Sequence, residues 1–531
     1  ITPNALCNVA RHLGRATLHN ALGVMKSEAD LRLNAGIVRN HQGVVDAKNL
    51  QADLITLEQE GGVIQANQSL NLTASGPISS TNRSLIQGEN LHITVAGQLD
   101  NQQSEIIAKN HATLNSGQLN NNDAAIVAEQ GNLEITTHQQ ALTNQQGKLS
   151  AGANLTLESG DLDNTAGLIQ SRQNMTIHTH QGNLNNQQTQ VSAQNKGIIA
   201  LGELALTTQN FLNQQGYLLS QQAQTLNTRN LENDSGVLAS LGGQKVSARE
   251  NITNRQGRIS GESAALTAQA IDNQSGLLQG SQALTVQVQG NLNNVKGQVK
   301  SKETLNIKAN EVNNREGQVR ATEGTLSLSG LSTLDNTLGN ITAKQQATIE
   351  ATALNNQQGL VYNEQGLLHL NLKQALDNAN GSVISKDTFV LKSDSLNNQQ
   401  GTLYAENQGN IHVNGLLDNR QLGKIHGLGE MAIQANQIDN RGGEIRTQHK
   451  LVLNATADIN NQKVSNTGSF IESGNVLSIQ TAQLNNSQTK ATNEKMTQGI
   501  LASALTISAQ VLDNQQGKIH SRVQGDLQIQ S

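Results

Sequence analysis

His178 and His180 are the first residues in this chain whose type and spacing suggest chemistry. On extended backbone, residues two apart share a face, so the pair would offer two imidazoles to one metal ion. No cysteine or carboxylate cluster accompanies them, whereas a zinc site takes four ligands or three plus a water. Gly427-Leu428-Gly429 has two glycines of a phosphate-binding loop but lacks the third, and reads as a turn. Asp100, Asp163, Asp272, Asp335, Asp377, Asp418, Asp439 and Asp513 recur in one short motif, Leu/Ile/Val-Asp-Asn. Stacked carboxylates would attract cations. Asn, Thr or Glu fills the same place in other copies, which favours a solvated turn. Tyr362 and Tyr404 each stand six residues after such an Asn and are candidate surface contacts, together with Lys490 and Lys495. No catalytic residue, cofactor site or metal-ligand set is expected.

These residues sit inside a repeat that fills nearly the whole chain, and its period decides how they are positioned. The stretch 142–162 is one unit. Leu142 is followed two places on by Asn144, and Gly147 comes three residues later. Leu149 and Ala151, then Leu155 and Leu157, alternate with polar residues, and Leu162 opens the next unit with Asn164 and Gly167. The same opening recurs from Leu99-Asp100-Asn101 to Ile459-Asn460-Asn461, including Ile271-Asp272-Asn273 with Gly276 and Leu354-Asn355-Asn356 with Gly359. Most steps are about 20 residues, the range of solenoids. Adding Leu18, Val38, Leu57, Ile78, Leu212, Leu484 and Leu512 gives 24 openings. Leu57-Glu58-Gln59 and Ile78-Ser79-Ser80 are degenerate copies in register.

Three units are long, and their extra residues are expected to bulge from turns near 187–195, 462–467 and 487–498. Insertions in solenoids map to loops on one face, often the binding face; drift in turn length is the plainer reading. Residues 1–17 read equally as a short helix, with Pro3 at its start and Leu6, Val9, Ala10 and Leu13 at helical spacing, or as one degenerate coil. Residues 18–531 read as continuous repeats.

Composition supports this reading. Aromatics are 1 %, there is no Trp, and charged residues are 15 %, against about 25 % in ordinary domains. The formal net charge of −5 suggests neither nucleic acid nor an anionic membrane as partner. The one cysteine, Cys7, allows no internal disulfide. No apolar run reaches the ~18 residues of a transmembrane helix. The chain begins at Ile1 with no secretory signal and reads as an internal segment or a processed product.

Apolar spacing of two is a strand signal. One unit of about twenty residues cannot bury its own apolar face, but stacked units bury a continuous column. The expected fold is therefore all-β, a right-handed parallel β-helix with coils of about 20–22 residues. Coils about 4.8 Å apart would give a rod of roughly 115 Å, and right-handed winding follows the crossover preference of parallel strands. The Asn of each opening would either face inward and form a ladder or face outward and shape a turn. Asn144, Asn164, Asn273 and Asn356 are the candidate ladder residues. The glycine that follows each, as at Gly147, Gly167, Gly216, Gly236, Gly257, Gly276, Gly297, Gly317 and Gly359, is expected at positive φ. Open coils at both ends would be an aggregation hazard, so more protein is expected on each side.

The unit Leu-Asp/Asn-Asn-x-x-Gly-x-Ile/Leu-x-Ala/Ser…Leu-x-Leu-x-Ala resembles the repeats of filamentous haemagglutinin, which also build the stalks of contact-dependent inhibition exoproteins. The resemblance covers residues 18–531. It implies a virulence-associated, two-partner-secreted filament at the cell surface of a Gram-negative bacterium. An outer-membrane transporter pore would export it, and its target would be a host or neighbouring bacterial cell surface. The family's Asn-Pro-Asn secretion motif is poorly matched by Thr2-Pro3-Asn4, and its Val-Glu-Asn-Asn motif is absent, so the segment reads as a central stalk. The expected function is a structural shaft that projects adhesive or toxin domains. A polysaccharide-degrading β-helix enzyme is an alternative, although such enzymes need clustered acids. A binding module that uses the long turns is another.

Overall fold

The computed structural model describes residues 16–190, 196–465, 467–490 and 498–530. They form two units, one running to Ala268 and one starting at Gln269. Each unit is a parallel β-helix, and no helical element occurs among the described residues. Together the units wind about 24 turns of roughly 21 residues.

The coil that starts at Leu142 shows the plan. It contains three short strands, Leu142–Thr143, Lys148–Ala151 and Leu155–Glu158. Each strand pairs in parallel with its counterpart one coil later: Leu142 with Leu162, Leu149 with Ile169, and Leu155 with Met175. Strands this short are stable because each is paired on both sides, so backbone groups are satisfied between coils rather than within one. Side chains alternate across the wall. Leu142, Leu149, Leu155 and Leu157 are at most 1 % exposed, while Thr156 and Glu158 face out. A period of two around a closed coil thus gives a narrow apolar interior with a polar surface.

Two expectations need correction. The opening of the coil after Leu184 is Phe211, not Leu212. Leu184 pairs with Phe211, and Phe211 is fully buried while Leu212 takes the outward middle place. The second concerns the glycines. None of Gly147, Gly167, Gly216, Gly236, Gly257, Gly276, Gly297, Gly317 and Gly359 has positive φ; the residue before each does, as at Gln146 (φ 54), Ala166 (φ 53), Ser275 (φ 55) and Gln358 (φ 55). The glycine is needed for close approach instead. A Cβ on Gly147 would collide with the carbonyl oxygen of Asn121 in the preceding coil and lie 2.5 Å from Oδ1 of Asn144. At Gly359 the same collision is with the carbonyl of Asn336, and Asn356 Oδ1 lies 2.7 Å away.

Candidate functional site

The most ordered polar structure in each unit is an asparagine ladder, and it faces inward. Asn144, Asn164, Asn273 and Asn356 are fully buried. In the first unit Asn101 Nδ2 donates to Asn121 Oδ1 (2.9 Å), Asn121 to Asn144 (2.6 Å), Asn144 to Asn164 (2.7 Å) and Asn164 to Asn186 (2.8 Å). The series continues through Asn213 and Asn233 to Asn254. In the second unit Asn273 donates to Asn294, and the series runs unbroken through Asn356 to Asn514. Most of these Nδ2 groups also reach backbone carbonyls, as Asn356 does with those of Gly359 (3.2 Å) and Ser382 (3.2 Å). The backbone sets this geometry: Gly147 N–H donates to the Asn144 carbonyl, which closes a tight turn that aims the Asn side chain inward.

The two degenerate coils weaken the ladder. Gln59 substitutes well, accepting from Asn40 at 3.1 Å. Its own bond to Ser80 is long, 3.5 Å, and beyond Ser80 the Asn101 Oδ1 is buried without a hydrogen-bond partner. A second inward polar column was not legible in the repeat: hydroxyls hold it from Ser116 through Thr228, but Val95, Ala248 and Ala268 take the same place in other coils. Thr137 and Thr179 hydroxyls donate to the Gln140 and Gly182 carbonyls at 2.6 and 2.7 Å, closing another corner of the coil.

The aspartates of the opening motif form no cation site. In all eight, Oδ1 accepts the backbone N–H two residues later, at 3.0–3.2 Å. Asn at this place does the same, as Asn120 and Asn355 show. The position is an Asx cap on the turn, which either side chain can supply. Two of the aspartates carry their own counter-ion. Asp418 binds Arg420 through Nε (2.9 Å) and Nη2 (2.7 Å), and Asp439 binds Arg441 at the same two distances. Burial works against ionisation of Asp418. Hydrogen bonds from the Arg420 side chain and backbone and from Gln399 outweigh it and hold the carboxyl below its usual range.

His178 and His180 flank the inward Thr179, and their rings lie 4.0 Å apart, tilted by 33°. Among the described residues no three His, Cys, Asp or Glu side chains come together as a metal site. Gly427 ends the strand Lys424–Gly427, and Gly429 lies in the bend after it, where a Cβ would strike the Asn407 carbonyl.

Tyr362 and Tyr404 occupy one outward column with Ile384 between them. Lys386 Nζ lies 5.4 Å from the Tyr404 ring centre and 3.3 Å from Glu406. Burial pushes the Tyr404 hydroxyl pKa up. Lys490 is exposed in a turn four coils beyond that of Tyr404, so the structure does not bring it to the tyrosines. Lys495 lies outside the described residues.

The long turns leave the coil at one corner, between the ladder Asn and the next strand. Two are built alike. Thr189 and Thr489 hydroxyls donate to the Asn186 and Asn486 carbonyls and accept N–H groups from Tyr217 and Lys518. The chain re-enters the wall at Gly197 (φ 101) and Gly499 (φ 96). In the third, Val464 and Thr467 form an antiparallel bridge, and Ser469 Oγ accepts from Gly442 N–H.

No curated protein and no solved structure matches this chain. The haemagglutinin repeat model does, over residues 13–137, 130–196, 181–256, 259–330, 323–380, 370–421 and 404–531. That family is structural and adhesin-type, and its members are secreted surface proteins. Seven successive matches in one frame, on a coil closed by a buried Asn and a close-packed Gly, place this chain in the haemagglutinin repeat family.

Proposed function

We propose that the chain is a stalk segment of a large exoprotein on the surface of a Gram-negative bacterium. It would be exported through a dedicated outer-membrane pore and would hold adhesive or toxin domains away from the cell. The observation that supports this most is the ladder. A column of buried amides repeated coil after coil gives each unit axial order, which suits a spacer. Haemagglutinin repeats over residues 13–531 agree with that role.

Whole-coil deletion tests it. Removing residues 142–161 joins Ala141 to Leu162 and keeps the register of every ladder. A spacer tolerates the loss: export and surface display persist, and adhesion or toxin delivery declines gradually as more coils are removed. Abrupt loss of cell binding on deletion of one properly folded coil would mean that this coil is itself the binding site. Deleting the gene of the proposed export pore should abolish protease-accessible protein on intact cells; undiminished display would overturn the export route.

A further inference from the structure

One wall of the first unit carries an apolar outward face that the interior does not use. Outward positions along these strands form three columns. Leu168, Tyr217 and Val237 make the first, with the buried Gly197 between Leu168 and Tyr217, and Ile199, Leu219 and Ala239 the second. Leu201 and Leu241, 40 % and 68 % exposed, stand at the strand ends with Gln221 between them and form the third. Charges frame the face. Lys148 precedes Leu168 and Arg258 follows Val237 in the first column; Arg172 and Glu262 bracket the third. Neither Arg258 nor Glu262 has an ion-pair partner among the described residues; Arg258 Nε meets only Ser260 Oγ, at 3.2 Å. Exposed apolar side chains occur elsewhere too, as at Leu22 and Val24, but here they stand side by side in adjacent columns over successive coils.

We propose that this face docks on the same face of a second copy, with the two stacks parallel. Charge chooses the occupant and the direction. With a twofold axis along the stack, the first column of one copy meets the third column of the other, coil for coil. Val237 then meets Leu241, Leu168 meets Arg172, Arg258 meets Glu262, and the central Ile199 and Leu219 meet their own counterparts. With the stacks antiparallel, Lys148 would face Arg258, a like-charge pair, and the contact of Arg258 with Glu262 would be lost; Arg172 meets a leucine in either arrangement. The patch spans about four coils of about 4.8 Å and about five residues of about 3.3 Å, roughly 300 Å² per copy. That falls well short of the ~800 Å² per partner of a stable dimer. The contact is therefore weak in dilute solution and strengthens where copies are concentrated side by side.

Cysteine trapping in the full chain tests this, in a Cys7→Ser background. Leu219→Cys should react with a small maleimide and, under mild oxidation, form disulfide-linked dimers several-fold faster than Thr156→Cys on another wall. A mixture of Val237→Cys and Leu241→Cys chains should give the mixed dimer. Glu262→Arg should suppress trapping at Leu219→Cys by setting Arg against Arg258, and adding Arg258→Glu should restore it. Trapping at Leu219→Cys no faster than at Thr156→Cys overturns the proposal. So does a Leu219→Cys thiol that maleimide cannot reach, which would mean the chain's own residues cover the face. Preferential mixed dimers between Leu168→Cys and Val237→Cys would overturn the parallel arrangement.

Discussion

Asn144 Nδ2 donates to Asn164 Oδ1 at 2.7 Å, while Asn144 Oδ1 accepts from Asn121 at 2.6 Å. Each amide is thus both donor and acceptor in a buried column. Replacing one leaves its two neighbours without that bond, and an unsatisfied buried polar group costs about 1–3 kcal/mol. Asn144→Leu should therefore destabilise the first unit by about 2–4 kcal/mol in denaturant unfolding. Because repeat proteins couple nearest neighbours, amide exchange should speed up in the flanking coils before distant ones. Uniform exchange across the unit would contradict this.

Ser80 offers the reverse experiment. Its hydroxyl ends the run that begins at Asn20, and Asn101 Oδ1 beyond it has no donor. Ser80→Asn should supply one and raise stability by about 1 kcal/mol. A neutral or destabilising result would show that the coil opening at Ile78 cannot place an Asn in the ladder.

Gly147 and Gln146 should respond in opposite directions. Gln146 has φ 54, a left-handed conformation that costs an L-residue about 1 kcal/mol. Gln146→Gly should therefore be neutral or stabilise by up to about 1 kcal/mol. Gly147→Ala places a methyl on the Asn121 carbonyl and Asn144 Oδ1, and should destabilise by about 1–3 kcal/mol. Thermal unfolding of the two single variants decides it. Equal effects would mean that the turn relaxes around the added methyl.

The repeat period, the strand alternation and the family were legible in sequence because each depends on local spacing, and apolar residues recur at the places of Leu155 and Leu157 in most coils. The ladder direction was not. Leu-x-Asn-x-x-Gly fits an inward or an outward Asn equally well until backbone closure is known. The glycine was assigned the wrong cause for the same reason: a Gly in a turn suggests positive φ, yet the constraint on Gly147 comes from Asn121, 26 residues earlier and one coil away. The Asp column was ambiguous because Asp and Asn cap the same N–H. Phe211 lay hidden beside Leu212, since either could open the motif. The apolar face with Tyr217 and Leu219 was not legible because strand alternation alone does not say which apolar residues face outward.

Gln224 and Gln244 stand where neighbouring coils bury Leu204 and Ala264. Each is 1 % exposed, and Gln224 Nε2 and both side-chain polar atoms of Gln244 have no hydrogen-bond partner. Ser220 Oγ donates to the Gln222 carbonyl at 2.9 Å and lies 3.4 Å from Gln224 Oε1. Replacing buried, unpaired amides with apolar groups of similar size removes a desolvation cost of about 1–3 kcal/mol each. Gln224→Leu with Gln244→Leu should thus raise the denaturation midpoint of the first unit. A fall would mean that the amides are satisfied in solution, by each other or by trapped water.

Asp418 should make the second unit sensitive to acid. Its carboxyl is buried and opposed by that burial, but the bidentate Arg420 contact, the Arg420 N–H and Gln399 keep its folded-state pKa below the ordinary value. A carboxyl with a depressed pKa contributes stability that is fully present above its unfolded value, near 3.9, and is lost as pH falls through the folded value. Asp418→Asn keeps an oxygen for the Arg420 N–H but loses the charge that pairs with the guanidinium. At neutral pH the variant should be less stable than the parent chain. The gap should narrow below about pH 4 and close once the parent's carboxyl protonates. Arg441 beside Asp439 supplies the control, since Asp418→Asn leaves that bidentate pair in place. Urea unfolding at several pH values measures the gap. A gap of constant size down to the lowest pH would show that Asp418 acts through shape and hydrogen bonding rather than through its charge.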